Sequence, residues 1–207
     1  MTSKKRNIII AVAGLCFLAI GVMGQLFLSV TKPDLTSAGF GSLADAEFRL
    51  VTDQGQEISA DDLIGKPTAI YFGFTWCPDI CPTTLSQMAD IKADLMDQNL
   101  AGAAELQLVF FTVDPERDTV FQMSEYVSLF AGDIIGITGT IDQINNALPQ
   151  FGVYAKRIEQ SDGDYLIDHT ASVYLYDRDG QFKGTISPAE PYEMALGKLE
   201  RLAGTKG

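Results

Sequence analysis

Cysteine and histidine are scarce in this chain, whose 207 residues include three cysteines and one histidine. Any site that uses thiols or soft metal ligands must therefore draw on almost the whole supply. Basic residues are also few, because 15 Lys and Arg stand against 27 Asp and Glu, which gives a net charge of −12. An acidic chain without a basic stripe does not suit a phosphate backbone, and this argues against nucleic acid as the main partner.

Charge is missing from one long stretch near the N-terminus. Residues 8–30 form an apolar run of 23 residues, preceded by Lys4, Lys5 and Arg6. A helix that crosses a bilayer needs about 20 apolar residues, so the run predicts a single transmembrane helix that anchors the chain. Positive charge marks the cytoplasmic side. The prediction therefore places 1–7 in the cytoplasm and the rest of the chain on the periplasmic side of a bacterial-type inner membrane.

A cleaved secretory signal is the alternative for this segment. Such signals have a shorter apolar core of about 7–15 residues, followed by a small-x-small cleavage site. No such site follows Val30, and lipoprotein processing at Cys16 would need a small residue where Leu15 stands. The uncleaved anchor is therefore favoured, and Cys16 becomes a small apolar residue in the span without a role.

Beyond a linker at 31–45, residues 46–207 alternate between strand and helix patterns. Short continuous apolar runs are typical of buried strands, and apolar residues at helical spacing indicate helices that pack on a sheet. Strands are predicted at 68–74, 106–113, 134–137, 153–158, 172–176 and 182–186, and helices at 82–98, 120–130, 141–148 and 192–202. This order predicts a three-layer α/β domain around a mixed central sheet.

Two of the three cysteines stand where the first central strand ends. Cys77 and Cys81 follow the strand at 68–74, and Pro82 suits the first position of the next helix. Cys81 is therefore expected at or near the N-cap of this helix, where backbone N–H groups stabilise a thiolate and lower the pKa of the thiol. A thiolate is both the nucleophile of thiol chemistry and a metal ligand, so this position favours reactive sulfur.

Three interpretations of the cysteine pair compete. A structural disulfide would close a very small loop and add little stability. A dithiol oxidoreductase normally has two residues between its cysteines, whereas three separate Cys77 from Cys81. A metal site needs a further ligand, and the single histidine, His169, precedes the strand at 172–176 that is expected beside the cysteine strand. Two thiolates and an imidazole suit copper in either valence and could take zinc, although structural zinc usually has four protein ligands.

Three longer motifs carry a family resemblance. They lie at 71–82, 113–119 and 168–176, and they read YFGFTWCPDICP, VDPERDT and DHTASVYLY. With these motifs the chain resembles the Sco-type, SenC-like copper chaperones, which are needed to assemble cytochrome c oxidase. The resemblance covers the predicted membrane anchor and nearly all of 46–207.

The resemblance implies a thioredoxin-like fold, and copper held by Cys77, Cys81 and His169. It also implies delivery of the copper to the dinuclear copper site of cytochrome c oxidase subunit II, with a thiol reductant that keeps the cysteines reduced. The alternative is an enzyme, a thiol–disulfide reductase that keeps the cysteines of that acceptor site reduced through a redox-active Cys77–Cys81 pair. Reduction does not need His169, whereas copper binding does, so this residue separates the two hypotheses. A redox or copper sensor is a third hypothesis, which no additional signalling domain supports.

Three more residues are candidates for tuning the site. Asp114 follows a buried strand and is expected at the same sheet end as the cysteines, where it or Asp118 could act on the metal ligands or meet a partner. The competing interpretation, which we favour, is a turn and helix-cap role with Arg117. Trp76 either shields the site or packs in the core.

Overall fold

The structure, a computed structural model, describes residues 41–161 and 163–204. The predicted cytoplasmic segment at 1–7, the anchor at 8–30 and most of the linker at 31–45 lie outside these residues. Within the described ranges, no helix is long and apolar enough to cross a membrane.

Nine strands and four α-helices make up the described part of the chain. The strands are β1 Arg49–Thr52, β2 Glu57–Ser59, β3 Thr68–Gly73, β4 Gln107–Thr112, β5 Ile135–Thr138, β6 Ala155–Glu159, β7 Tyr165–His169, β8 Val173–Tyr176 and β9 Phe182–Ile186. The helices are α1 Ile80–Asp97, α2 Val120–Val127, α3 Ile141–Ala147 and α4 Tyr192–Gly204. Every strand and helix predicted within residues 46–207 is present, with small differences in its bounds.

Seven of the strands form one mixed sheet in the order β2-β1-β5-β4-β3-β8-β9. β3, β4 and β5 run parallel in the centre, and the pairs toward both edges are antiparallel. The other two strands form a separate antiparallel pair, the β6–β7 ribbon, in which Ala155 pairs with His169. The predicted metal ligands therefore come from two different β structures, because the cysteines follow the main sheet and His169 ends the ribbon.

Helices cover both faces of the main sheet. Successive side chains of a strand point to opposite faces. Ile70 and Phe72 of β3 lie in one core, together with Ile144 of α3. Ala69 and Tyr71 lie in the other core, against α1, α2 and α4. The predicted thioredoxin-like, three-layer α/β domain with a mixed central sheet is confirmed.

Three strands were not predicted, namely β1, β2 and β7. β1 and β2 are short and contain one fully buried residue each, Leu50 and Ile58. β7 pairs only with β6, and the exposed and partly exposed residues of this ribbon form no apolar run. Since a buried apolar run was the signal for a strand, these segments lacked it. His169 is consequently the last residue of a strand, and not only a residue that precedes one.

The start of α1 also differs from the prediction. The helix begins at Ile80 with Asp79 at the N-cap, so Cys81 is its second residue and Pro82 its third. The N–H groups of the first helical turn have no intrahelical partner, and a proline there removes no hydrogen bond. Proline therefore marks the first turn of this helix without fixing its first residue.

Candidate metal centre

The two cysteines lie on either side of the start of α1, one at the surface and one in the core. The backbone N–H of Cys77 donates to the carbonyl oxygen of Phe74 over 3.2 Å, in the turn that leaves β3. Cys77 is partly exposed, whereas Cys81 is 0% exposed. Both thiols are free. Of the two sulfurs, only that of Cys77 can be reached from solvent.

The pKa of Cys77 is lowered to about 5. The largest cause is a hydrogen bond from the Cys81 thiol, and backbone N–H groups of Asp79, Cys81 and Ile80 add to it against the opposing effect of burial. Cys77 is thus a thiolate at neutral pH. The helix N-terminus stabilises this charge because its N–H groups point at the sulfur.

The pKa of Cys81 is raised, because its proton is held in the hydrogen bond to Cys77 and because its sulfur is buried. The expectation that Cys81 would be the helix-stabilised thiolate is therefore wrong. The helix starts earlier than Pro82 suggested, so the free N–H groups at its start face Cys77, which lies three residues before the first helical residue. Cys77, and not Cys81, is the sulfur whose negative charge the helix N-terminus stabilises.

Gly73 makes room for the buried sulfur. A Cβ at this position would lie 2.9 Å from Cys81 Sγ and 2.7 Å from Cε2 of Phe110, closer than carbon atoms pack.

We expect Gly73→Ala to lower the free energy of unfolding by about 1–3 kcal/mol, as overpacking does. Urea denaturation measures this change in the free energy of unfolding. Gly197→Ala is the control, because its Cβ meets only the end of Arg201 at 3.5 Å, and a loss of equal size there would contradict the steric explanation.

His169 lies partly buried at the end of β7. Its Nδ1 is 3.0 Å from the carbonyl oxygen of Thr170, and its ring makes an edge contact with Phe74, with 5.7 Å between the centroids. A carbonyl oxygen only accepts, so in the neutral imidazole Nδ1 carries the proton and Nε2 keeps a lone pair for a metal ion. Phe74 belongs to the segment that carries Cys77, which relates the ribbon to the cysteine turn.

The three predicted ligands do not form a closed metal site in the structure. Among residues 41–161 and 163–204, no three side chains of His, Cys, Asp or Glu lie close enough together to hold a metal ion. The ligand set of Cys77, Cys81 and His169 therefore stays a prediction.

Asp118 is buried and ties the cysteine turn to β4. Its carboxylate accepts hydrogen bonds from the N–H and the hydroxyl of Thr75, the latter over 2.6 Å, and from the hydroxyl of Thr112 over 2.6 Å. Burial raises the pKa of Asp118 to about 6, although these hydrogen bonds oppose the shift. Thr75 is two residues before Cys77, so Asp118 holds the turn and not the sulfur.

Asp114 pairs with Arg117. Its carboxylate lies 2.5 Å from Nε of Arg117 and accepts a hydrogen bond of 2.9 Å from the Tyr165 hydroxyl. Its carbonyl oxygen also accepts from the N–H groups of Arg117 and Asp118 in the turn. This arrangement corresponds to the turn interpretation of Asp114.

Arg117 connects the ribbon with the cysteine turn, a role that the sequence did not reveal. Its guanidinium carbon is 3.7 Å from the centroid of the Tyr165 ring and 5.7 Å from those of Phe74 and Trp76. Trp76 is 59% exposed, so it does not pack in the core. The contact with Tyr165 could not be inferred because β7 itself was not predicted.

Comparison with known proteins identifies the family. The family model described as SCO1/SenC matches residues 37–204. The chain belongs to this family. It is 34% identical to an SCO2-like protein of Rickettsia felis over 88% of this chain and 89% of that one. It is 38% identical to the mitochondrial SCO1 homolog 1 of Arabidopsis thaliana over 74% of this chain, but it spans only 45% of that longer protein.

Solved structures of Sco proteins resemble the fold. ScoI of Bradyrhizobium japonicum, a structure with copper bound, is 37% identical with a TM-score of 0.67, over 75% of this chain and 96% of that one. BsSco is described as a member of the Sco family of cytochrome c oxidase assembly proteins with a disulfide switch. It is 25% identical with a TM-score of 0.58, over 77% of this chain and 92% of that one.

Proposed function

We propose that this SCO1/SenC protein is a membrane-anchored copper chaperone that assists cytochrome c oxidase assembly. Copper is its cargo, bound by Cys77, Cys81 and His169 and delivered to the dinuclear copper site of subunit II. The predicted anchor at 8–30 holds the domain on the periplasmic side of the inner membrane. The copper-bound ScoI relative and the description of BsSco support the proposal.

The observation that carries the proposal is the pair of free thiols at the start of α1, of which one is partly exposed and one is buried. Cys77 has a pKa lowered to about 5, and Cys81 is within hydrogen-bonding reach of it. Nε2 of His169 keeps its lone pair because Nδ1 donates to Thr170. Two sulfur ligands and one imidazole form a soft set that suits copper better than harder cations.

Delivery follows from the different exposure of the two sulfurs. The partly exposed sulfur of Cys77 is the one that a thiolate of the acceptor can approach, so ligands are exchanged stepwise from that side. A Cys77–Cys81 disulfide would remove both sulfur ligands. An oxidising compartment favours that disulfide, and a thiol reductant is therefore the second partner of the protein.

The test is a copper titration of the full chain in detergent with its thiols reduced. We expect one tightly bound copper per chain, and at least tenfold weaker binding for Cys77→Ala and for His169→Ala. Cys16→Ala is the matched control for a lost thiol and leaves the stoichiometry unchanged. Copper affinity that is unaffected in Cys77→Ala would contradict the proposal.

A thiol–disulfide reductase for the same acceptor is the second candidate, and the low pKa of the exposed Cys77 favours it. The Cys77 thiolate would attack the acceptor disulfide and form a mixed disulfide, releasing one acceptor thiolate, which takes up a proton. Cys81, after losing its proton, would displace the second acceptor thiol and leave a Cys77–Cys81 disulfide. His169→Ala should retain this reduction, and Cys81→Ala should trap the mixed disulfide.

A further inference from the structure

One hydroxyl group contacts the buried sulfur. The hydroxyl of Tyr71 donates a hydrogen bond to Cys81 Sγ over 3.4 Å. The two residues are 1% and 0% exposed. The contact is therefore shielded from water. Electrostatic interactions are stronger in the interior of a protein than at its surface.

Two residues of β3 and their neighbours hold this contact in place. Tyr71 and Gly73 are two residues apart on β3 and so face the same side of the sheet. Gly73 leaves the space that Cys81 Sγ fills, and the Tyr71 ring stacks on Phe110 with 6.0 Å between centroids and 28° between planes. Packing thus holds the hydroxyl against the sulfur.

Not every buried tyrosine hydroxyl among the described residues is paired. The hydroxyls of Tyr126 and Tyr176 are buried and have no hydrogen-bond partner within the part of the chain that the structure describes. The hydroxyl of Tyr165 donates to a carboxylate oxygen of Asp114, whereas that of Tyr71 donates to a sulfur. Tyr71 is not among the groups that lower the pKa of Cys77, which are the Cys81 thiol and the backbone N–H groups of Asp79, Ile80 and Cys81.

We propose that Tyr71 is a positioning residue whose hydroxyl stabilises negative charge on the sulfur of Cys81. A hydrogen bond to a charged acceptor is stronger than one to a neutral acceptor. The bond is therefore strongest when Cys81 is a thiolate that holds copper, and weakest when its sulfur is in a disulfide. This inference rests on the proposed function, and it assigns to Tyr71 the task of favouring the copper-binding form over the oxidised one.

The first test is copper binding by Tyr71→Phe, which keeps the ring on Phe110 and removes only the hydroxyl. We expect about tenfold weaker binding, and a sulfur-to-copper(II) charge-transfer absorption at longer wavelength, because the electrons of the sulfur are less stabilised. Tyr176→Phe is the control, since it removes a buried hydroxyl that has no hydrogen-bond partner among residues 41–161 and 163–204. Wild-type affinity and an unchanged absorption in Tyr71→Phe would overturn the proposal, as would equal effects in both variants.

The second test needs no copper. Cys77 and Cys81 are equilibrated with oxidised dithiothreitol, which takes two electrons and two protons as the cysteine disulfide forms. We expect the equilibrium constant for oxidation to rise about threefold in Tyr71→Phe and to stay unchanged in Tyr176→Phe. The effect of losing the Tyr71 hydroxyl is smaller here than on copper binding. Without copper, the two sulfurs share one proton, so Cys81 carries less negative charge for the hydroxyl to stabilise. If the wild-type chain binds no copper, the proposed function fails, whereas an unchanged equilibrium in Tyr71→Phe rejects the role of Tyr71.

Discussion

Iodoacetamide should alkylate Cys77 with a rate that is half-maximal near pH 5, roughly four pH units below an ordinary thiol. Its pKa is lowered, so the reactive thiolate is lost only as the pH falls through about 5. Cys81 should react at least a hundredfold more slowly, because its pKa is raised and its sulfur is buried. Peptide mass spectrometry of samples quenched between pH 4 and 9 follows each cysteine separately.

The control is Cys81→Ala, which removes the largest cause of the low pKa of Cys77. The backbone N–H groups remain, so the midpoint of Cys77 alkylation should move upward without reaching that of a free thiol. A midpoint near pH 8 to 9 in the wild-type chain, or equal rates for the two cysteines, would show that our assignment of the thiolate is wrong.

Asp118→Ala should lower the free energy of unfolding by about 3 kcal/mol. The substitution leaves the N–H of Thr75 and the hydroxyl of Thr112 without their acceptor, and each buried polar group without a partner costs about 1–3 kcal/mol. For a domain of this size the melting temperature should fall by about 10 °C. Copper affinity should fall as well, since the turn that carries Cys77 loses its attachment to β4.

Asp118→Asn is the conservative control and also tests the charge. The pKa of Asp118 is raised from 3.8 to about 6, so the stability linked to its proton is present below about pH 4 and is lost as the pH rises through 6. Asn does not titrate. The stability of the wild-type chain relative to Asp118→Asn should therefore fall between pH 4 and pH 7 in urea denaturation. A difference that stays constant or grows would contradict a raised pKa.

The sequence predicted the fold well where burial is continuous. All six residues of β3 are buried, and five of the six of β4 are. The start of α3, predicted at residue 141, is also correct, and a capping box of Thr140 and Gln143 stabilises it. In contrast, the β6–β7 ribbon is held mostly by backbone pairing and by contacts such as that of Arg117 with Tyr165. Such contacts depend on the assembled structure and leave little periodic pattern in the sequence.

The sequence predicted which residues form the site, a ligand set that stays a prediction, but it did not predict the electrostatics of the two cysteines. The sequence indicated Cys77, Cys81 and His169 by residue type and motif. It could not show which sulfur the helix N-terminus faces. A helix that starts at Pro82 would direct its free N–H groups at Cys81, whereas a start two residues earlier directs them at Cys77. The bond from Tyr71 to Cys81 was also beyond sequence reasoning, since it depends on the space at Gly73.

Within the described part of the chain, Cys81 is buried and Cys77 is partly exposed, so a ligand from solvent meets the sulfur of Cys77 first. Under the proposed function, copper that arrives binds Cys77 first, and copper that leaves by the same route is released from Cys77 last. The sulfur ligands of such a site are exchanged in a fixed order, because an incoming sulfur and a departing one use the same approach. If the chain delivers copper as proposed, a competing thiol in solution approaches the cargo from the side of Cys77, which is also the side that the acceptor approaches.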